Sequence, residues 1–178
     1  MALIRIEEWA GGANAANARV SFNYGPAYPV TVADPFTPQQ EYQLAWYFEE
    51  HLNAPFFKQV QACEAASSIT AYGEALFLQV FTAVSDAYAT YKKHAEAGLQ
   101  TLQFEIAGSP AFQALHWEAL KDPQLPHPFA LDATIVRKNL TSVHFEATVR
   151  PSPTINILVV TSRPDGWRDV GYRTISHQ

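Results

Sequence analysis

An α/β chain is predicted, a helical layer packed on a mixed sheet whose central strands begin near residue 155. Three observations predict it. Between residues 37 and 98 the apolar side chains recur at helical spacing, and from residue 99 they recur every second position. At 155–160, "INILVV" is apolar nearly throughout, the pattern of a strand buried on both faces.

In the first 36 residues, "LIRIEEW" and "ARVSFNY" alternate apolar and polar side chains around the turn-like "GGANAAN". These read as edge strands or a hairpin. "YGPAYPVTVADPFTP" holds four prolines and reads as a connector. Thr37 then caps a helix with Pro38 at its first position, where a missing N–H costs nothing, and Leu44, Ala45, Phe48 and Leu52 fall on one face. Phe77, Val80, Phe81, Val84 and Tyr88 form one apolar stripe. Ser85 and Asp86 interrupt it and cap a shorter helix, "AYATYKKHAEA", which Gly98 closes. Its lysines and His94 lie near the C-terminal end, where positive charge suits the helix dipole.

In "LQTLQFEIA", Leu102, Phe104 and Ile106 point one way while Thr101, Gln103 and Glu105 point the other. "SVHFEATVR" alternates in the same way, and one wet face per strand suits an edge or a half-covered sheet. The chain therefore divides into a β-type segment with its connector (1–36), a helical layer (37–98) and the first part of a sheet domain (99–178), expected to form one structural unit.

Composition bounds the function. With 48% hydrophobic residues and 13% aromatics, the chain can build a core. Its net charge is -5 and basic residues are not clustered, which speaks against nucleic acid or an anionic membrane as partner. The N-terminus lacks the apolar core of a signal peptide, and the most apolar window, "ALFLQVFTAV", is far shorter than the roughly 20 residues of a membrane span. A cytoplasmic protein is expected.

Cys63 is the only cysteine, so an internal disulfide and a cysteine-based zinc cluster are excluded. It sits in the helical "QVQACEAASS" with no neighbouring cation, and reads as a half-buried helix residue rather than a nucleophile. The six histidines, His51, His94, His116, His127, His144 and His177, show no metal-ligand spacing, and His51, His94 and His144 read as surface residues. No phosphate-binding glycine loop and no serine-nucleophile elbow is present, and no cofactor is implied. His116, Glu118 and Asp122 lie within seven residues, which invites an acid–base reading. The plainer reading is that Trp117 and Leu120 anchor a short helix while Glu118 and Asp122 cap and solvate it. Arg163 and Asp165 follow the 155–160 strand, where open α/β sheets bind ligands, and arginine can grip a carboxylate with two hydrogen bonds.

The order "YGEALFLQVF", "LQTLQFEIA", "LHWEALKDP", "PFALDATIVRKN" and "INILVVTSRPDGWRDVGYRTIS" resembles the N-terminal part of CHAT domains, the caspase-like cysteine peptidases, over roughly residues 72–178. The family's "LPWELLxDP" is matched by "LHWEALKDP", with His116 in place of proline, its "VR" by Val136 and Arg137, and its post-strand residues by Asp169 to Ser176.

The resemblance implies an incomplete caspase-like sandwich and a cysteine endopeptidase with a His–Cys dyad. The family's "HxxGHG"-like histidine segment has no counterpart in this chain, and Cys63 lies well upstream of where the nucleophile belongs. No catalytic residue is carried over, and the chain alone is expected to be inactive. Arg163 holds a place comparable to the caspase arginine that binds the substrate's acidic side chain, and is the one substrate-binding residue implied. The partners implied are the remaining half of the domain and a protein or peptide substrate. The alternative is a complete non-catalytic α/β module that recruits other proteins.

Overall fold

The computed structural model describes residues 1–10 and 15–139. Among them β1 (Ala2–Ala10), β2 (Ala16–Phe22), β3 (Ala27–Val32), β4 (Leu102–Gly108) and β5 (Thr134–Asn139) form one mixed sheet in the order β3-β2-β1-β4-β5. The chain divides into two units, Met1–Ser142 and Val143–Gln178, and the described residues lie in the first. Strand β1 (Ala2–Ala10) pairs antiparallel with β2 (Ala16–Phe22), Ile4 opposite Phe22 and Ile6 opposite Val20. Strand β3 (Ala27–Val32) pairs antiparallel with β2. The chain then runs through α1 (Pro38–Glu49), α2 (Gln59–Phe77) and α3 (Ser85–Ala95) before returning as β4 (Leu102–Gly108), parallel to β1. After the short α4 (Pro110–Ala114), β5 (Thr134–Asn139) adds parallel to β4. The architecture is α/β, with helices and a mixed sheet.

The core lies between one sheet face and the helices. Ile4, Ile6, Val20, Phe104 and Ile106 meet Leu76, Phe77, Val80, Phe81 and Tyr91. Phe104 stacks at a tilt on Phe129, ring centroids 4.9 Å apart, and Phe77 meets Phe81 at 5.0 Å. The opposite face carries a line of charges: Arg19 to Glu7 (2.9 Å), Arg5 to Glu7 (3.4 Å), Arg5 to Glu105 (3.2 Å) and Lys138 to Glu105 (3.5 Å). Arg5 Nε and Glu105 Oε1 are close in charge but do not meet with hydrogen-bond geometry.

Of the two readings of the N-terminal strands, the hairpin holds, since β1 pairs antiparallel with β2, and the edge position does not. β1 is the middle strand of the five, and β4 is likewise interior. Alternation reports that one face is polar, and here the polar face satisfies itself by ion pairs instead of lying at an edge. The 155–160 strand lies outside the described residues, as does "SVHFEATVR".

The proline-rich connector is corrected too. Its residues 27–32 are strand β3, at the sheet edge, where a missing N–H need not break the ladder. Asn23 and Tyr24 adopt φ of 50° and 60°, and Gly25 N–H donates to the Phe22 carbonyl at 2.8 Å, so a tight left-handed turn joins β2 to β3.

Thr37 caps α1 as the sequence predicts, in a reciprocal capping box with Gln40. The predicted apolar face of α1 is not buried: Leu44 is, whereas Ala45, Phe48 and Leu52 are exposed. The stripe from Phe77 to Tyr88 is not one helix. α2 ends at Phe77, a π-helical turn spans Leu78–Thr82, and Val84 is extended before α3 starts. Ser85 and Asp86 mark that break but do not cap it; Val84 is the N-cap, and no side chain bonds there. Gly98, with φ of 96°, closes the segment after α3.

Candidate functional site

Ligands in open α/β sheets gather where parallel strands end, so the β4–β5 connection, residues 109–133, is the first place to look. Ser109 caps α4, and Pro110 at its first position presets the turn. Trp117 is fully buried and donates its indole N–H to the Phe112 carbonyl at 2.8 Å. The predicted short helix is a single 3-10 turn, Trp117–Ala119, anchored by Trp117 and Leu120 as expected.

The three groups of the acid–base reading go to three different places. His116 Nε2 lies 3.0 and 3.1 Å from the two carboxylate oxygens of Glu41 on α1. Arg137 on β5 donates through Nε to Glu118 at 3.1 Å. Asp122 turns inward, with 1% of its surface exposed. It accepts from the Tyr91 hydroxyl at 2.9 Å, Lys92 Nζ at 3.0 Å and the Gln124 N–H at 2.9 Å. The local acid–base triad is therefore absent, and Asp122 is a buried pin rather than a solvating cap.

Burial pushes the Asp122 carboxyl up, but the Gln124 N–H, Lys92 and Tyr91 outweigh it and hold it below the usual carboxylate value. Burial pushes Lys92 down, and the Asp122 hydrogen bond and charge more than reverse that. Tyr91 is raised far above its ordinary value by burial and then by Asp122. The three groups lock the charged Asp–Lys pair and the neutral phenol together.

The second constellation was invisible in the sequence. Tyr72, buried on α2, accepts the His116 backbone N–H at 3.2 Å, and Phe36 meets its ring edge-on at 4.5 Å. Burial, and next the Asp34 carboxylate, raise the Tyr72 phenol against the lowering effect of that N–H. Asp34, Glu41, Tyr72 and His116 thus share one corner. The Glu41–His116 hydrogen bond ties α1 to the β4–β5 connection, and its side chains are partly open to solvent. Glu41 is 75 residues from His116, a separation that no spacing rule covers.

Cys63 is exposed on α2, not half-buried. His94 stacks on Phe22 at 5.6 Å, and His127 lies 3.5 Å from Asp132. Among the described residues, no group of three or more His, Cys, Asp or Glu is placed to hold a metal ion. No helix among them is long and apolar enough to cross a membrane. Arg163, Asp165, His144 and His177 lie outside the described residues. No family model, curated protein or solved structure matches this chain.

Proposed function

We propose that the chain supplies the first part of a CHAT-type, caspase-like cysteine peptidase domain, as scaffold and not as the source of the His–Cys dyad. The observation that carries this reading is the run of five segments in family order over residues 72–178. It is supported by the packing of the first four around one core: Tyr72 to Phe81, Leu102 to Ile106, Trp117 with Leu120, and Phe129. In this reading a histidine contributed from outside the chain takes the proton of a thiol contributed likewise, and the thiolate adds to a peptide carbonyl while backbone amides hold the oxyanion. The histidine returns the proton to the leaving amine, and water hydrolyses the thioester that remains. Arg163 would grip an acidic side chain of the substrate.

The test uses the native, full-length protein with a denatured protein as substrate. Proteolysis blocked by iodoacetamide, yet unchanged in Cys63→Ser and lowered in Arg163→Ala, supports the reading. Thiol-independent cleavage, or loss of cleavage in Cys63→Ser, contradicts it.

A second reading, a non-catalytic module that recruits proteins, is favoured by one observation. The end of the α1–α2 hairpin exposes Phe48, Leu52, Phe56 and Phe57, too much apolar surface to be left in water without use.

A further inference from the structure

The direction of the backbone groups along the edge strand β3 follows from its neighbour. The Asn23 N–H donates to the Leu3 carbonyl at 2.8 Å, so odd-numbered residues of β2 turn their backbone groups toward β1 and even-numbered ones toward β3. Val20 lies opposite Tyr28, and Ala18 opposite Val30. The backbone groups of Tyr28, Val30 and Val32 therefore face β2, while those of Ala27, Pro29 and Thr31 aim away from the sheet. These last three residues are exposed.

Two of the outward positions offer no donor to an incoming strand. Pro29 has no N–H. One step past β3, the outward N–H of Ala33 donates to Gln79 Oε1 at 2.7 Å. Gln79 belongs to the π-helical turn Leu78–Thr82, which the fully buried Val80 and Phe81 fix against the core. π-helical turns are rare and occur often where a side chain serves a function. Here the turn holds a glutamine over the end of the edge strand.

We propose that Pro29 and Gln79 together close the β3 edge to strand addition by a second copy of this chain, with Gln79 as the latch. An added strand takes a donor and an acceptor from every second residue of the edge, about 7 Å apart. Along β3 the outward N–H groups of Ala27 and Thr31 stand about 13 Å apart with Pro29 between them, and the next, at Ala33, is taken. The incoming strand would bury carbonyls opposite Pro29 and Ala33 without a donor. Pro29, Thr31 and Gln79 border one depression beside the strand, which gives a second strand room to approach once the latch is removed. An edge without such devices is a template for association. The inference is independent of the peptidase reading.

Two measurements on the chain test it. In amide hydrogen exchange, Gln79→Ala should speed exchange at Ala33 about 10-fold, the scale of one lost hydrogen bond, while Gln79→Glu keeps the acceptor and the protection. In sedimentation equilibrium from about 1 to about 200 µM, Pro29→Thr with Gln79→Ala should self-associate at least about 10-fold more tightly than the wild type. Adding Thr31→Pro removes a further outward N–H without touching the β2 ladder, and should return association to the wild-type level. Far-UV spectra serve as the folding control, and Pro29 and Thr31 are exposed, so the fold should survive each change. Unchanged Ala33 exchange in Gln79→Ala overturns the proposal. So does a double variant that associates no more than the wild type, or one whose association ignores Thr31→Pro.

Discussion

Gly73 of α2 lies against the backbone of Ala119: a methyl group built on Gly73 would overlap the Ala119 carbonyl. The Lys121 N–H donates to the Gly73 carbonyl at 3.2 Å, and Lys121 Nζ reaches Glu74 at 2.6 Å. Here the helical layer and the β4–β5 connection touch backbone to backbone. The contact holds Trp117 and Asp122 in place.

Gly73→Ala therefore separates two opposing effects. In an unobstructed helix the change would stabilise by about 1 kcal/mol. Against a backbone carbonyl that cannot move aside, overpacking costs about 1–3 kcal/mol or more. A net loss is expected in urea unfolding, and a gain would mean that the contact is looser than described.

Tyr24 is the weak residue of the β2–β3 turn. Its φ of 60° suits glycine, and with Asn23 before it, Tyr24→Gly would create the Asn-Gly pair that such turns favour. Tyr24 is exposed, so little packing is lost. Stabilisation of about 1 kcal/mol is expected, read as a higher thermal midpoint. An unchanged or lower midpoint would show that the turn does not hold this conformation.

Asp122→Asn should lower stability by about 1–3 kcal/mol near neutral pH, through disturbed buried hydrogen bonds. The sign of its pH dependence follows from its lowered pKa. A depressed carboxylate contributes stability above its unfolded pKa of about 4, and loses it as pH falls through the lower folded value. The difference between wild type and Asp122→Asn should shrink as pH falls from 6 toward 2. A constant difference would contradict the ionised pin.

Trp117→Phe should cost about 2–4 kcal/mol, from a cavity and an orphaned Phe112 carbonyl. Thermal unfolding reads it directly. A loss under about 0.5 kcal/mol would show that Trp117 is not the anchor of the connection.

Local patterns carried much of the fold. The Thr37 cap, the period-two β4 and the anchoring of Trp117 and Leu120 all follow from side chains within a few residues of one another. What the sequence did not disclose depends on distant partners. Asp122 is buried because Tyr91 and Lys92, about 30 positions earlier, satisfy it. His116 meets Glu41 because the first turn of α1 passes beside the connection. β3 was hidden by Pro29, and by a turn that uses Asn-Tyr where Asn-Gly would have announced a hairpin. α1 misled in the opposite direction: its apolar spacing suggests a core face, but Phe48 near its end and Leu52 beyond it are exposed.

The proposed CHAT-type peptidase domain implies a His–Cys dyad contributed from outside these residues. The most direct measurement is the reading frame beyond codon 178, together with the intact mass of the native protein. If the proposal holds, the frame continues into a histidine–glycine segment and, beyond a further strand, a cysteine, and the native mass exceeds 19.8 kDa accordingly. A stop after Gln178 with a native mass of 19.8 kDa would contradict it.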